Sequence, residues 1–232
     1  MDENAFEREP GTARVSQNYV KAALASLMPV VLETLSKQDE DSADDLEHWD
    51  LAKAGATCLR LIAQLVDDDV VDFMVNFVTD NIQSTNWRQR EAAVMAFGAV
   101  LEGPSVDKLS PLVQSAMPIL IGLMRDPHVM VKDSATWTIG KICELHGRWS
   151  TADGSPPPPG KCVSLPSSLL LALKDTPRVC SKACFALHNF GDQFEESRDQ
   201  DTNALSPYFT ALVQELLVAT QRDDGESYLG NF

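Results

Sequence analysis

The feature that most constrains this chain is a pair of helical patterns that comes back about every forty residues. Apolar residues at helical spacing run over residues 17–37, 50–66, 70–84, 86–102, 107–126, 128–145, 165–175, 178–195 and 205–221. Strand-like alternation is nearly absent. Trp49 and Trp87 each open a second helix and lie 38 residues apart. Ala93 and Ala135 hold one place in the next two second helices, 42 apart, and Ala183 follows Ala135 by 48. The turns agree with the pairing. RDP at 125–127 and KDTP at 174–177 each close one helix and open another, with proline near the first turn of the new helix.

A helix-pair period of about 40–47 residues is the mark of HEAT or armadillo repeats. The expected fold is therefore all-α, an α-solenoid of HEAT-type pairs. Its expected parts are a polar tail at 1–16 and three pairs over 17–145, interrupted by an acidic loop at 38–48. A proline-rich linker follows at 146–164 around SPPPPG, then a further pair and an unpaired helix over 165–221, and a tail at 222–232. Pro118 inside a first helix suggests a kink. A first pair and a last helix without polar caps read as an interior slice of a longer array or a truncated product.

Composition narrows the function. The chain carries 19 basic and 34 acidic residues, a formal charge of −15. Such a surface repels phosphate backbones and anionic lipid and favours basic partners, so neither nucleic acid nor membrane insertion is expected. No apolar run reaches the ~18 residues needed to cross a membrane, and the polar start has no signal-peptide core. The five cysteines are scattered, with no CxxC pair. They read as buried thiols of a reducing compartment, although Cys180 and Cys184 share a helix face. Phosphate loops, paired metal ligands and nucleophile elbows are missing from the sequence, and the four histidines are dispersed. No catalytic residue, metal or cofactor is expected, and no enzyme.

Two features point to binding instead. The run from Asp39 to Asp50 contains seven acids and no Lys or Arg, with Trp49 beside it. Asp39, Glu40, Asp41, Asp44, Asp45 and Glu47 are expected to form a flap that a basic partner orders; a plain solvated loop is the bland alternative. In helix 128–145, Val131, Ala135, Ile139 and Ile142 form the core side. Asp133, Lys141 and Glu144 fall opposite, with Trp137 among them. In helix 178–195, Ala183, Leu187, Phe190 and Phe194 point inward. Ser181, Asn189 and Asp192 point outward, with Phe185 among them. An aromatic amid charge is hot-spot chemistry, and packing against the neighbouring repeat is the competing reading. Trp87 reads more readily as a staple over a helix N-terminus, and Asp67, Asp68 and Asp69 as acids at a helix start. The expected face thus comprises Trp49, Asp133, Trp137, Glu144, Phe185 and Asp192. It would receive a Lys/Arg-rich segment whose stems lie on indole faces while its charges meet carboxylates.

NWRQREAAVMAFGAVLEGP (86–104) and LVQSAMPILIGLMRDPHVMVKDSATWTIGKICEL (112–145) resemble the importin-β (karyopherin-β) nuclear import receptors, and YVKAALASLMPVVLETLSKQDED (19–41) continues the likeness. RVCSKACFALHNF (178–190) and PYFTALVQELLVATQRDDG (207–225) extend it more faintly. The resemblance implies a receptor of cytoplasm, nucleus and nuclear pore. Its partners would be an importin-α-type adaptor or a basic cargo segment, the GTPase Ran, and FG nucleoporins. It implies that Trp49 and Trp137 hold the basic adaptor helix, with Phe185 where the family usually has Trp. It also implies that the acidic loop takes part in Ran contact and cargo release. The rival expectation is a HEAT-repeat scaffold unrelated to nuclear transport.

Overall fold

The computed structural model describes residues 18–39, 50–146, 164–193 and 205–222. The tail 1–16, the run from Glu40 to Trp49, the SPPPPG linker and the tail after Arg222 lie outside the described residues. Nine α-helices occur among those described: α1 Tyr19–Thr34, α2 Leu51–Val66, α3 Val71–Asn81, α4 Trp87–Ala99, α5 Val106–Leu123, α6 Val129–His146, α7 Ser164–Ala172, α8 Pro177–Asp192 and α9 Phe209–Thr220. Short 3-10 turns precede α3 and α9.

The pairing follows from which faces are apolar. α1 buries Leu24, Met28, Val31 and Leu32, one stripe of a 3.6-residue period. α5 buries Leu109, Val113, Met117 and Leu120 and runs through both Pro111 and Pro118. These first helices need one partner, and each packs on the helix that follows it: α1 on α2, α3 on α4, α5 on α6, α7 on α8. α4 and α6 differ. They bury residues on nearly every side, Ala92, Ala93, Val94, Ala96, Phe97 and Gly98 in one and Val131, Ser134, Ala135, Thr138, Ile139 and Ile142 in the other. A helix buried all round has neighbours all round. The second helices accordingly stack in chain order, α2 on α4, α4 on α6, α6 on α8, while α5, α7 and α9 touch along the other layer.

The turns between paired helices carry a polar ladder. The Arg90 guanidinium donates to both oxygens of Asp126 in the next turn, each at 2.8 Å, a planar two-bond match. One repeat later, Lys132 donates to Asp175 at 2.5 Å. Burial pushes Asp126 and Asp175 up, but the bonds from Arg90 and Lys132 outweigh it and hold both carboxyls below the usual aspartate range. Trp87 lies flat on His128 of the next turn, ring centres 3.7 Å apart, with the Arg88 guanidinium on its ring at 4.8 Å. Trp87 is thus an edge contact between repeats. Asp67–Val70 forms the 3-10 turn before α3. Asp68 there accepts from the amide and hydroxyl of Ser105, at 2.7 and 3.0 Å, and Asp69 pairs with Lys21. These acids tie repeats together as well as opening a helix.

Candidate functional site: the face of the second helices

The repeat register fixes what the inner layer presents. Two residues beyond Ala135 stands Trp137, and two beyond Ala183 stands Phe185. Each lies on a glycine of the preceding second helix. A Cβ at Gly98 would come within 2.6 Å of the Trp137 ring, and one at Gly140 within 2.5 Å of the Phe185 ring. Any side chain there would displace the ring, so glycine is required for the close approach. Both rings are half-buried. Neither is sealed between its neighbours, so each fills part of a seam and keeps an open side.

Seven residues further along each helix comes an acid, Glu144 after Trp137 and Asp192 after Phe185. Seven residues is about two turns, so each acid shares its aromatic's face about 10 Å along the axis. Both acids are exposed. Glu144 accepts from Lys141 at 2.8 Å, and Asp192 stands 3.5 Å from His188. Lys141 also bonds Glu102 at 2.8 Å, and Glu102 accepts from Gln64 at 2.8 Å. The bond from Lys141 holds the Glu102 carboxyl below its ordinary value. This network crosses α2, α4 and α6 at the ends opposite the polar ladder.

Asp133 needs a correction. Its expected place on the solvent side is wrong: it is 6 % exposed and lies 3.1 Å from the Arg178 guanidinium of α8. Burial pushes its carboxyl up, and Arg178, Lys182 and Lys53 draw it back. It stands behind the face, in the seam. Asn189 is corrected likewise. It is buried, and its amide donates to the Gly140 carbonyl at 3.3 Å. Helical wheels with one core side misplace both, because α6 and α8 are contacted by second helices as well as by their own first helix.

Of the remaining expected residues, Asp39 is exposed just past α1. Trp49, Glu40, Asp41, Asp44, Asp45 and Glu47 lie outside the described residues. Cys184 hydrogen-bonds Cys180, which together with burial pushes its thiol up and keeps it protonated. Among the described residues no three His, Cys, Asp or Glu side chains gather as metal ligands. Sequence reading missed Glu91, which is buried in α4 and accepts from Gln38 and Ser134. The signal was present: Glu91 and Asp133 are 42 residues apart, the spacing of Ala93 and Ala135.

The stack of second helices with a one-helix outer layer defines the class: an α-solenoid of HEAT-type repeats. A HEAT-like repeat family model matches residues 87–142, and one for importin subunit beta-1-like TPR repeats matches 164–230. Importin subunit beta-1 of Schizosaccharomyces pombe is 40 % identical over 215 residues, 93 % of this chain and 24 % of the relative. That of Arabidopsis thaliana is 39 % identical over 208 residues, 89 % of this chain and 23 % of the relative. A structure of yeast importin-beta, Kap95p, superimposes with a TM-score of 0.80 at 29 % identity, covering 92 % of this chain and 24 % of that one. The chain belongs to the importin-β family. It spans about a quarter of the length of these relatives.

Proposed function

We propose that this chain is part of a nuclear import receptor that takes a Lys/Arg-rich adaptor or cargo segment along its second helices. The observation that carries the reading is the repeated pair of aromatic and acid. Trp137 with Glu144 and Phe185 with Asp192 fall at one register in consecutive second helices, aromatics half-buried and acids exposed. Lysine and arginine stems lie on such rings while their charges meet the acids, each cation–π contact contributing about 0.5–2 kcal/mol. A chain charge of −15 draws basic partners and disfavours acidic ones. The acids from Asp39 to Glu47, with Trp49, extend the same surface in this reading, and binding of Ran there would compete with the basic segment. Kap95p has been solved with RanGDP and in a complex with Nup1. We extend Ran and nucleoporin partnership to the receptor this segment serves, with shuttling between cytoplasm and nucleus.

The test is titration of a fluorescent Lys/Arg-rich helical peptide into wild type, Trp137→Ala and Trp49→Ala/Trp137→Ala. Each lost aromatic should weaken binding about tenfold, as expected of a hot spot, with unchanged far-UV circular dichroism. Affinity should fall steeply with salt. Equal affinity for all three proteins would remove the face from consideration.

A further inference from the structure

The place that Trp137 and Phe185 hold in their helices belongs to a methionine in α4. Met95 stands two residues beyond Ala93, as Trp137 stands two beyond Ala135 and Phe185 two beyond Ala183. From Glu91 to Leu101 every residue but Met95 is buried, and from Asp133 to Gly140 every residue but Trp137. Met95 is therefore what α4 shows on the face along that stretch, half-buried like the two rings. Bonds between α4 and α6 fix the alignment on either side of it. Ser134 donates to Glu91 at 2.7 Å, Thr138 to the Val94 carbonyl at 3.4 Å, and Lys141 to Glu102 at 2.8 Å.

The surroundings of Met95 differ from those of the rings. The 38-residue step from Trp49 to Trp87 puts Arg60 of α2 where α4 has Gly98 and α6 has Gly140. An arginine leaves no bare backbone for a ring to bear on. The acid seven residues on is Glu102, and it is already engaged. One oxygen accepts from Lys141 at 2.8 Å; the other accepts from Gln64 at 2.8 Å and lies 3.4 Å from the Arg60 guanidinium. Two cations thus share that carboxylate, whereas Glu144 and Asp192 are exposed. A further cation brought here by a ligand would meet no aromatic ring and no unengaged carboxylate. It would meet a thioether on an unbranched stem, which adapts to apolar groups of many shapes.

We propose that Met95 is a specificity-determining residue of the face: it receives an uncharged, apolar side chain of the bound segment, one repeat away from the cation held at Trp137. The inference rests on the reading of that face as the seat of a Lys/Arg-rich segment, and it narrows the ligand to a basic segment interrupted by an apolar residue. Packed helices lie about 8–10 Å apart. A helical ligand running from α4 to α6 covers that distance in about six or seven residues, nearly two turns. Its apolar residue and the cation at Trp137 therefore point the same way.

A leucine scan tests this. Helical peptides of Lys, Arg and Ala, each with one Leu placed at a different position, are titrated into the whole chain. With wild type, one Leu position should bind about fivefold more tightly than its neighbours, the effect of covering a few tens of Å² of apolar surface. Met95→Leu should keep that preference, and Met95→Gln should flatten it. Met95→Glu should reverse it, so that Lys at the favoured position now binds more tightly than Leu. Far-UV circular dichroism checks the fold of each variant. Should Met95→Glu lose helical content, the comparison of Met95→Leu with Met95→Gln, both close in size to the native residue, decides alone. A wild-type scan with no favoured position would overturn the proposal, as would a favoured position that survives in Met95→Gln. If the peptides in either case still bind and weaken with Trp137→Ala, the reading of the face stands without this one. If wild type binds none of the peptides, both fall.

Discussion

The seam between α4 and α6 and the seam between α6 and α8 are built alike and balanced differently. Each lays an aromatic on a glycine, Trp137 on Gly98 and Phe185 on Gly140. Each has one ladder ion pair in the turn, Arg90 with Asp126 and Lys132 with Asp175. Each buries one carboxylate at the same register. In the second seam that carboxylate, Asp133, has a guanidinium 3.1 Å away. In the first, Glu91 is held by an amide and a hydroxyl, both neutral donors. A buried anion needs a partner charge or a proton. One seam supplies the cation from α8, while the other draws its proton from solvent, which is why Glu91 titrates near neutrality.

The largest expected effect breaks the cation-balanced seam. Arg178→Ala leaves Asp133 buried without its guanidinium, and removing one partner of a buried pair costs about 3–5 kcal/mol. Urea unfolding at neutral pH should show that loss, and the loss should shrink in acid, where Asp133 takes a proton instead. A midpoint shift below the precision of the method would mean that the pair carries no weight.

The second effect sharpens the contrast through pH. Glu91 is raised in the folded state from 4.5 to about 7. Between those values the folded chain binds more proton than the unfolded one. The contribution of Glu91 is therefore fully present below 4.5 and lost as pH rises through about 7, a change of about 3 kcal/mol. Thermal unfolding of wild type and Glu91→Gln should diverge across that window. Parallel curves would place Glu91 in a solvated environment. The smallest effect concerns the shared feature. Gly98→Ala and Gly140→Ala should each cost about 1–3 kcal/mol as the ring above is displaced. The tryptophan seam also has an optical readout, so Gly98→Ala should shift Trp137 emission.

Fold and site were unequally legible in the sequence. Helix pairing was readable because the first helices carry one apolar stripe each and the RDP and KDTP turns mark the joints. The register of Trp137 and Phe185 was readable from the alanine spacing. Asp133 and Asn189 were misplaced because wheel patterning assumes polar residues face water. In a stacked layer the side of a second helix facing the next repeat is buried too, and satisfied polar groups are admitted there. Gln38 could not have been placed from sequence at all, since its partners lie 50 and 53 residues away. Trp87 reads from sequence as a local staple, and stacking on His128 makes it a bridge to the next turn.

The rings on Gly98 and Gly140 have a mechanical consequence. Edge atoms of each ring bear on bare backbone of the repeat before it, while the side chain as a whole is only half-buried. A molecule that gripped the exposed part of either ring would also load the joint beneath it, and would thereby gear occupancy to the angle between neighbouring repeats through a single side chain.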